Sequence, residues 1–289
     1  MTLIPLLFNG LSYGVLFFCM AVGLTVTMGM MRFTNLAHVS LCMLGGYFLV
    51  QLTAVWSVPF LVMLPLVFVL TAALSAALEV AVLRHFYRSD QLSQVLLTIG
   101  LLYMSITAAA WFWGPSYKAV QLPQWLVGQV EFAGMSFERY RTFLLVAGAA
   151  ITAAIFYGLE RTSFGATVRA CVDNQRVAAA SGLNTSLVYT LTFAIGGGLG
   201  GLGGALSANM IGLDPNFPLR TLVYVLIIVS VGGMGSIMGT LAAAMLVGVL
   251  DVLGKYYLPS YGGMMIYLIA IGVLIWRPEG FFRMKGQHA

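Results

Sequence analysis

Long apolar runs alternate with short polar breaks along this chain, and that rhythm constrains its fold more than any other feature. A helix that crosses a bilayer needs about 20 apolar residues. Runs of that kind cover 5–30, 33–54, 58–83, 92–114, 142–159, 187–209, 219–231, 237–254 and 262–276. They predict an all-α, polytopic integral membrane protein with about 8–9 transmembrane helices. The count turns on 219–254, which is short for two crossings and long for one. Charge excludes a soluble fold. Asp, Glu, Lys and Arg make up 8% of the 289 residues, against about 25% in soluble domains.

Charge also predicts sidedness. Cytoplasmic loops carry the excess of Lys and Arg. If 84–91, 160–186 and the tail from Arg277 face the cytoplasm, then Arg32, Arg84, Arg88, Arg161, Arg169, Arg176, Arg277, Arg283 and Lys285 lie inside. Lys118, Arg139, Arg141, Arg220 and Lys255 lie outside. The N-terminus is then outside and the C-terminus cytoplasmic. The reading is one transmembrane domain over 1–289, with a cytoplasmic loop at 160–186 and a periplasmic loop at 115–141. The net charge of +5 follows from this arrangement and does not suggest nucleic acid. The first apolar run outlasts the roughly 7–15 residues of a signal-peptide core and lacks a basic start, so it is read as a spanning helix. Cys19, Cys42 and Cys171 have neither metal-ligand nor disulfide spacing and are read as small buried residues.

The longest polar interruption of the second half, Glu160–Thr185, contains a short helix. Ser163 is the expected N-cap and Gly182 the expected stop. Val168, Cys171, Val172 and Ala179 recur at helical spacing as an apolar face. Arg169, Asp173 and Arg176 fall on another face, with Arg169 and Asp173 four apart. Two readings fit such a helix between membrane segments: one lying on lipid headgroups, or a lever docking into a cytoplasmic protein.

Other polar and small residues carry narrower expectations. Asn35, His38 and Ser40 follow the first run as an interfacial turn and cap, or as a polar break on a solute pathway. Glu79, near a membrane end, is expected to pair with Arg84 rather than to relay protons. The loop 115–141 mixes aromatics, charges and short apolar pieces, as a partly structured cap would. Gly196, Gly200 and Gly204 are spaced by four, which lets membrane helices approach closely, within one subunit or against a second. The stretch SVGGMGSIMG (230–239) is a poor helix interior. It is either a broken helix that presents Gly232, Gly233 and Ser236 to a solute or a tight loop at the inner surface. Asp251 and Lys255, four apart, are expected to pair.

Some chemistry is missing. There is no G-x-x-x-x-G-K-[ST] to cradle ATP phosphates, no H-E-x-x-H, no metal-ligand cluster and no nucleophile elbow. No catalytic residue and no metal ligand is assigned, which argues against an integral-membrane enzyme. Few ionisable residues lie deep in the apolar runs, which weakens a proton-coupled pump. A self-sufficient secondary transporter or channel has only the glycine break in its favour.

Four stretches together carry a family likeness over nearly the whole chain. GLTVTMGMMRFTNLAHVSLCMLGGY (23–47) is similar to GLTxxYGxxxxxNxAHGxxxMxGAY. RACVDNQRVAAASGLNTSLVYTLTFAIGGGLGGLGGAL (169–206) is similar to a cytoplasmic loop and the glycine-rich helix after it. VGGMGSIMG (231–239) and RPEGFF (277–282) are similar to GGMGSxxG and RPxGLF. The chain resembles the permeases of branched-chain amino acid ABC importers, the leucine/isoleucine/valine type. Val39 stands where that family usually has Gly, and Met28 where Tyr is common.

The resemblance implies a permease subunit of the bacterial inner membrane that pairs with a second homologous permease. It implies two cytoplasmic ABC ATPase subunits, which would carry ATP and Mg, with no cofactor on this chain. A periplasmic binding protein would deliver the solute. Arg169, Asp173, Arg176, Ala179 and Gly182 would then belong to the surface that meets the ATPase. The resemblance does not itself assign the residues that touch solute; the polar break and the glycine break make Asn35, His38, Gly232, Gly233 and Ser236 the expected translocation pathway. Urea, short amides and small aromatic or carboxylic acids compete with branched-chain amino acids as the solute.

Overall fold

The computed structural model describes residues 3–31, 33–56, 59–132 and 135–276. Arg32 and the tail from Arg277, including RPEGFF, Arg283 and Lys285, lie outside them. The apolar runs become helices, because a backbone without water must close its hydrogen bonds within its own segment. In chain order they are α1 (Leu3–Met31), α2 (His38–Trp56), α3 (Phe60–Ala81) and, after a 3₁₀ turn at Leu83–Phe86, α4 (Gln91–Trp113). The stretch 115–141 holds a 3₁₀ turn and an antiparallel hairpin, β1 (Gln129–Phe132) and β2 (Met135–Glu138), which pairs Gln129 with Glu138 and Phe132 with Met135. Then come α5 (Arg139–Glu160), α6 (Ser163–Asp173), α7 (Gln175–Ala180), α8 (Thr185–Ile211), α9 (Phe217–Gly232), α10 (Ile237–Tyr257) and α11 (Gly262–Trp276).

Six of these helices, α1, α3, α4, α5, α8 and α10, are long and apolar enough to cross a membrane; α2, α9 and α11 are shorter apolar helices. The run 219–254 is two helices. Gly233 (φ 94°) ends α9, Gly235 (φ 84°) turns the chain, and Ser236 caps α10 by accepting from the Gly239 N–H at 3.1 Å. Only glycine takes a positive φ without strain. With 16 residues, α9 spans about 24 Å, less than the ~30 Å of hydrocarbon.

Most of α1 and α8 is buried. Glycine explains how α8 packs on α1, α2 and α3 at once. A Cβ on Gly204 would stand 1.7 Å from the Cys42 carbonyl oxygen, one on Gly45 2.1 Å from the Gly201 carbonyl, and one on Gly23 2.2 Å from the Gly196 carbonyl. A bilayer gives helices no hydrophobic reason to associate, so close backbone packing does that work. Polar side chains support it between helices. Thr25 and Thr240 hydroxyls are 2.8 Å apart, Ser75 donates to the Phe193 carbonyl at 2.8 Å, and Tyr140 to the Leu206 carbonyl at 2.6 Å. Outward faces of α3, α4 and α5 expose Leu61, Val69, Leu96, Met104 and Val146, as lipid-facing surfaces do.

Contacts sort the loops to two ends. At one end Phe8 packs on Phe137 of the hairpin, Arg141 lies over the Tyr13 ring, and the Lys118 N–H donates to the Leu213 carbonyl. At the other, Gly29 abuts Gly235, and the ring of Phe33 packs edge-on to Tyr87. The segment α6–α7 lies at this second end.

Candidate functional site

The polar segment after α5 departs from the single helix that its sequence suggests. Thr162, not Ser163, caps α6, accepting from the Gly165 N–H at 3.2 Å. Asn174 then breaks the helix (φ −155°, ψ 100°). Its side-chain oxygen accepts from the N–H groups of Arg176 and Val177, both at 3.1 Å, so a competing cap starts α7. The break shifts the apolar face by one residue. Val168, Cys171 and Ala178 are buried, while Ala179 is exposed. The side chain of Val172 lies outside the description. Gly182, at φ 85°, ends the segment as expected.

The segment presents its polar side outward. Arg169, Asp173, Arg176, Ala179 and Gly182 are all exposed. Among the described residues no ion pair joins Arg169 to Asp173; Arg169 instead donates to the Leu159 carbonyl at the end of α5. The buried side rests on Val188 and Tyr189 of α8, with Tyr87, Leu159 and Phe164 around them. Burial raises the pKa of the Cys171 thiol. The segment is therefore anchored on one face and open on the other.

Two cavities flank it. One of about 360 Å³ lies between α1, α5, α6 and the start of α10, and its wall includes Glu160, Arg169, Asp173, Gly235, Ser236 and Met238. Two of the stretches singled out in the sequence, the polar segment and the glycine break, thus meet at one end of the bundle. The second, about 420 Å³ and almost wholly apolar, runs between α1, α3, α5, α6 and α8.

The remaining candidates lie elsewhere. Asn35 sits in the turn before α2, buried, and its side-chain oxygen has no protein partner. His38 begins α2, and its Nε2–H donates to the Met20 carbonyl at 3.0 Å. A Cβ on Gly200 would lie 2.9 Å from that nitrogen, so Gly200 leaves room for the ring. Gly232 packs against Gly239 across the α9–α10 turn. Gly196, Gly200 and Gly204 all contact α1 or α2 of the same chain.

Glu79 is more than half of an ion pair. Its carboxylate, 1% exposed, accepts from Arg84 at 3.4 Å, from the Tyr87 hydroxyl at 2.7 Å and from the Thr190 hydroxyl at 2.7 Å. Tyr87 and Thr190 are not legible as partners from sequence, because Tyr87 lies past the end of α3 and Thr190 is 111 residues away. Burial, then the bond to Glu79, raises the Tyr87 pKa. Asp251 pairs with Lys255 at 2.6 Å, as the spacing predicts, and also accepts from Tyr224 at 3.2 Å. Among the described residues no three His, Cys, Asp or Glu gather as a metal site would need.

Six long apolar helices, one of them the buried glycine-rich α8, with a polar helical segment folded at one end, describe a multi-pass membrane protein. The chain belongs to the family described as branched-chain amino acid transport system / permease component, whose model matches residues 6–274. It is similar to the high-affinity branched-chain amino acid transport system permease protein LivH of Salmonella typhimurium, at 24% identity over 95% of this chain and 93% of that one. Similarity to LivH of Escherichia coli K12 is 25%, with the same coverage. BraD of Pseudomonas aeruginosa, also named as such a permease protein, is 24% identical over 95% of this chain and 94% of its own. No solved structure matches the chain.

Proposed function

We propose that this chain is the transmembrane permease subunit of an ATP-driven ABC importer in the bacterial inner membrane. It takes up branched-chain amino acids or related small solutes delivered by a periplasmic binding protein. The observation that carries the reading is the α6–α7 segment. It is anchored on its apolar face and exposes Arg169, Asp173 and Arg176 on the other. A surface of that kind, joined directly to the buried helix α8, suits docking of a cytoplasmic ATPase subunit. Two such ATPases and a second homologous permease complete the assembly, and ATP and Mg belong to the ATPases.

In this reading α1, α2, α3, α4, α5, α8, α9, α10 and α11 make nine crossings, with the N-terminus outside and the C-terminus inside. Nine of the 14 Lys and Arg residues then face the cytoplasm. Asn35, His38, Gly232, Gly233 and Ser236 are proposed to border the solute pathway.

The test has two parts. A tagged chain purified in mild detergent is expected to bring down a second permease and P-loop ATPases. Scrambling Arg169–Gly182 should abolish ATPase recovery while the chain stays in the membrane. Uptake of labelled leucine, urea, amides and small acids is then compared in a deletion strain. A chain recovered alone, or a deletion that leaves uptake of every solute unchanged, would overturn the reading.

A further inference from the structure

We infer that Glu79 is a positioning residue that ties the α6–α7 segment to the membrane bundle; its role in transport rests on the importer reading above. The carboxylate lies near the end of α3, buried, and it gathers groups from three other places in the chain. Tyr87, in the loop before α4, donates to Oε1; Thr190 of α8 and Arg84 of the 3₁₀ turn donate to Oε2. Arg84 also donates to the Thr190 hydroxyl at 3.3 Å.

Both arms of the tie lead to α6–α7. The Tyr87 ring meets Tyr189 edge-on, with centroids 6.2 Å apart, and Tyr189 packs with Val168, Cys171 and Ala178 under the segment. Thr190 sits in the opening turns of α8, which follows α7 after residues 181–184. A displacement of α6–α7 is therefore felt at Tyr189 as well as at Leu159 of α5, and Glu79 joins Tyr189, through Tyr87, and the neighbouring Thr190 to α3. A carboxylate out of water holds its partners strongly, because leaving any of them unpaired, or the charge itself, is unfavourable. Motion at the segment is then passed to α3 and α8 together rather than lost in a loose loop.

Cys171 is a natural reporter of this tie. It is 2% exposed, on the face of α6 that rests against the bundle. Maleimide labelling of the detergent-purified chain, with the modified site located by mass spectrometry, is compared for the wild type, Glu79→Gln and Thr190→Val. Glu79→Gln keeps the shape and removes the charge; Thr190→Val cuts only the α8 arm. Each is expected to speed Cys171 labelling about tenfold, the scale of one charge-assisted hydrogen bond lost from a local opening.

In the reconstituted importer, both variants are expected to keep ATPase binding and ATP hydrolysis, while uptake per ATP falls about tenfold, the same bond lost from the coupling step. Unchanged Cys171 labelling in both variants overturns the tie. Hydrolysis and uptake falling in equal proportion assigns Glu79 a merely structural role and also overturns the inference. A wild-type chain that recovers no ATPase overturns the importer reading, and the labelling experiment, which needs no partner, still decides the tie.

Discussion

Gly204→Ala should cost this protein more stability than its single added methyl group suggests. A Cβ at Gly204 would stand 1.7 Å from the Cys42 carbonyl oxygen, 2.4 Å from its carbon and 2.8 Å from its Cα. All three are backbone atoms, so no side chain can turn aside. Ordinary contact begins near 3.4 Å, and the difference between 3.4 and 1.7 Å asks α2 and α8 to part by about 1.7 Å. A gap of only about 0.5–1 Å forfeits a quarter to a half of the dispersion attraction. Overpacking commonly costs about 1–3 kcal/mol, and a backbone-to-backbone clash belongs at the upper end.

The assay is thermal unfolding in detergent, followed by loss of the monodisperse peak. At about 2–4 °C per kcal/mol for a chain of this size, the midpoint should fall by roughly 6–12 °C. Gly100→Ala is the control. Gly100 lies in α4 with nothing within 4 Å of an added Cβ, and alanine is the better helix former by about 1 kcal/mol. Its midpoint should hold or rise. Equal behaviour of the two variants, or no loss in Gly204→Ala, would refute the argument that glycine sets the α2–α8 distance.

Other outcomes follow from local chemistry. Lys255→Met leaves the buried Asp251 carboxylate without its cation and should destabilise the chain by about 1–3 kcal/mol. Adding Asp251→Asn should restore part of that loss, because an uncompensated buried charge costs more than an absent pair; a double-mutant thermal series decides. Asn174→Ala removes the cap of α7, worth about 1 kcal/mol, and should speed tryptic cleavage after Arg176 several-fold. Tyr87, whose pKa is raised first by burial and then by Glu79, is protonated in the folded chain above the ordinary tyrosine range. The stability it contributes is complete below the unfolded pKa of 10.0 and is lost as pH rises through the higher folded value. An absorbance titration of wild type minus Tyr87→Phe should therefore show no phenolate signal near pH 10 until the chain unfolds.

Much of the local structure was legible because it depends on neighbours in sequence. The apolar runs became helices within a few residues of their expected ends, since helix length and bilayer thickness share one scale. Asp251 and Lys255 pair because a helix brings residues four apart together. Gly182 stops the α6–α7 segment because its positive φ favours glycine. Where local signals compete, spacing alone misleads. Helical periodicity runs straight through Asn174, although its side chain caps the next helix, and the buried alanine is Ala178 rather than Ala179.

Residue order alone is enough to specify a multi-pass helical membrane protein and where its helices run, because hydrophobic length and helix punctuation are written residue by residue. Which faces meet emerges from the packed bundle and not from the residue order. Apolar helices in lipid are apolar all round, so periodicity does not say which side turns inward. The contact of Gly204 with Cys42, the place of His38 against Gly200 and the joining of Glu79 to Thr190, 111 residues away, depend on how close separate helices come. That distance is set by the shape of the packed bundle and not by any stretch of the chain alone.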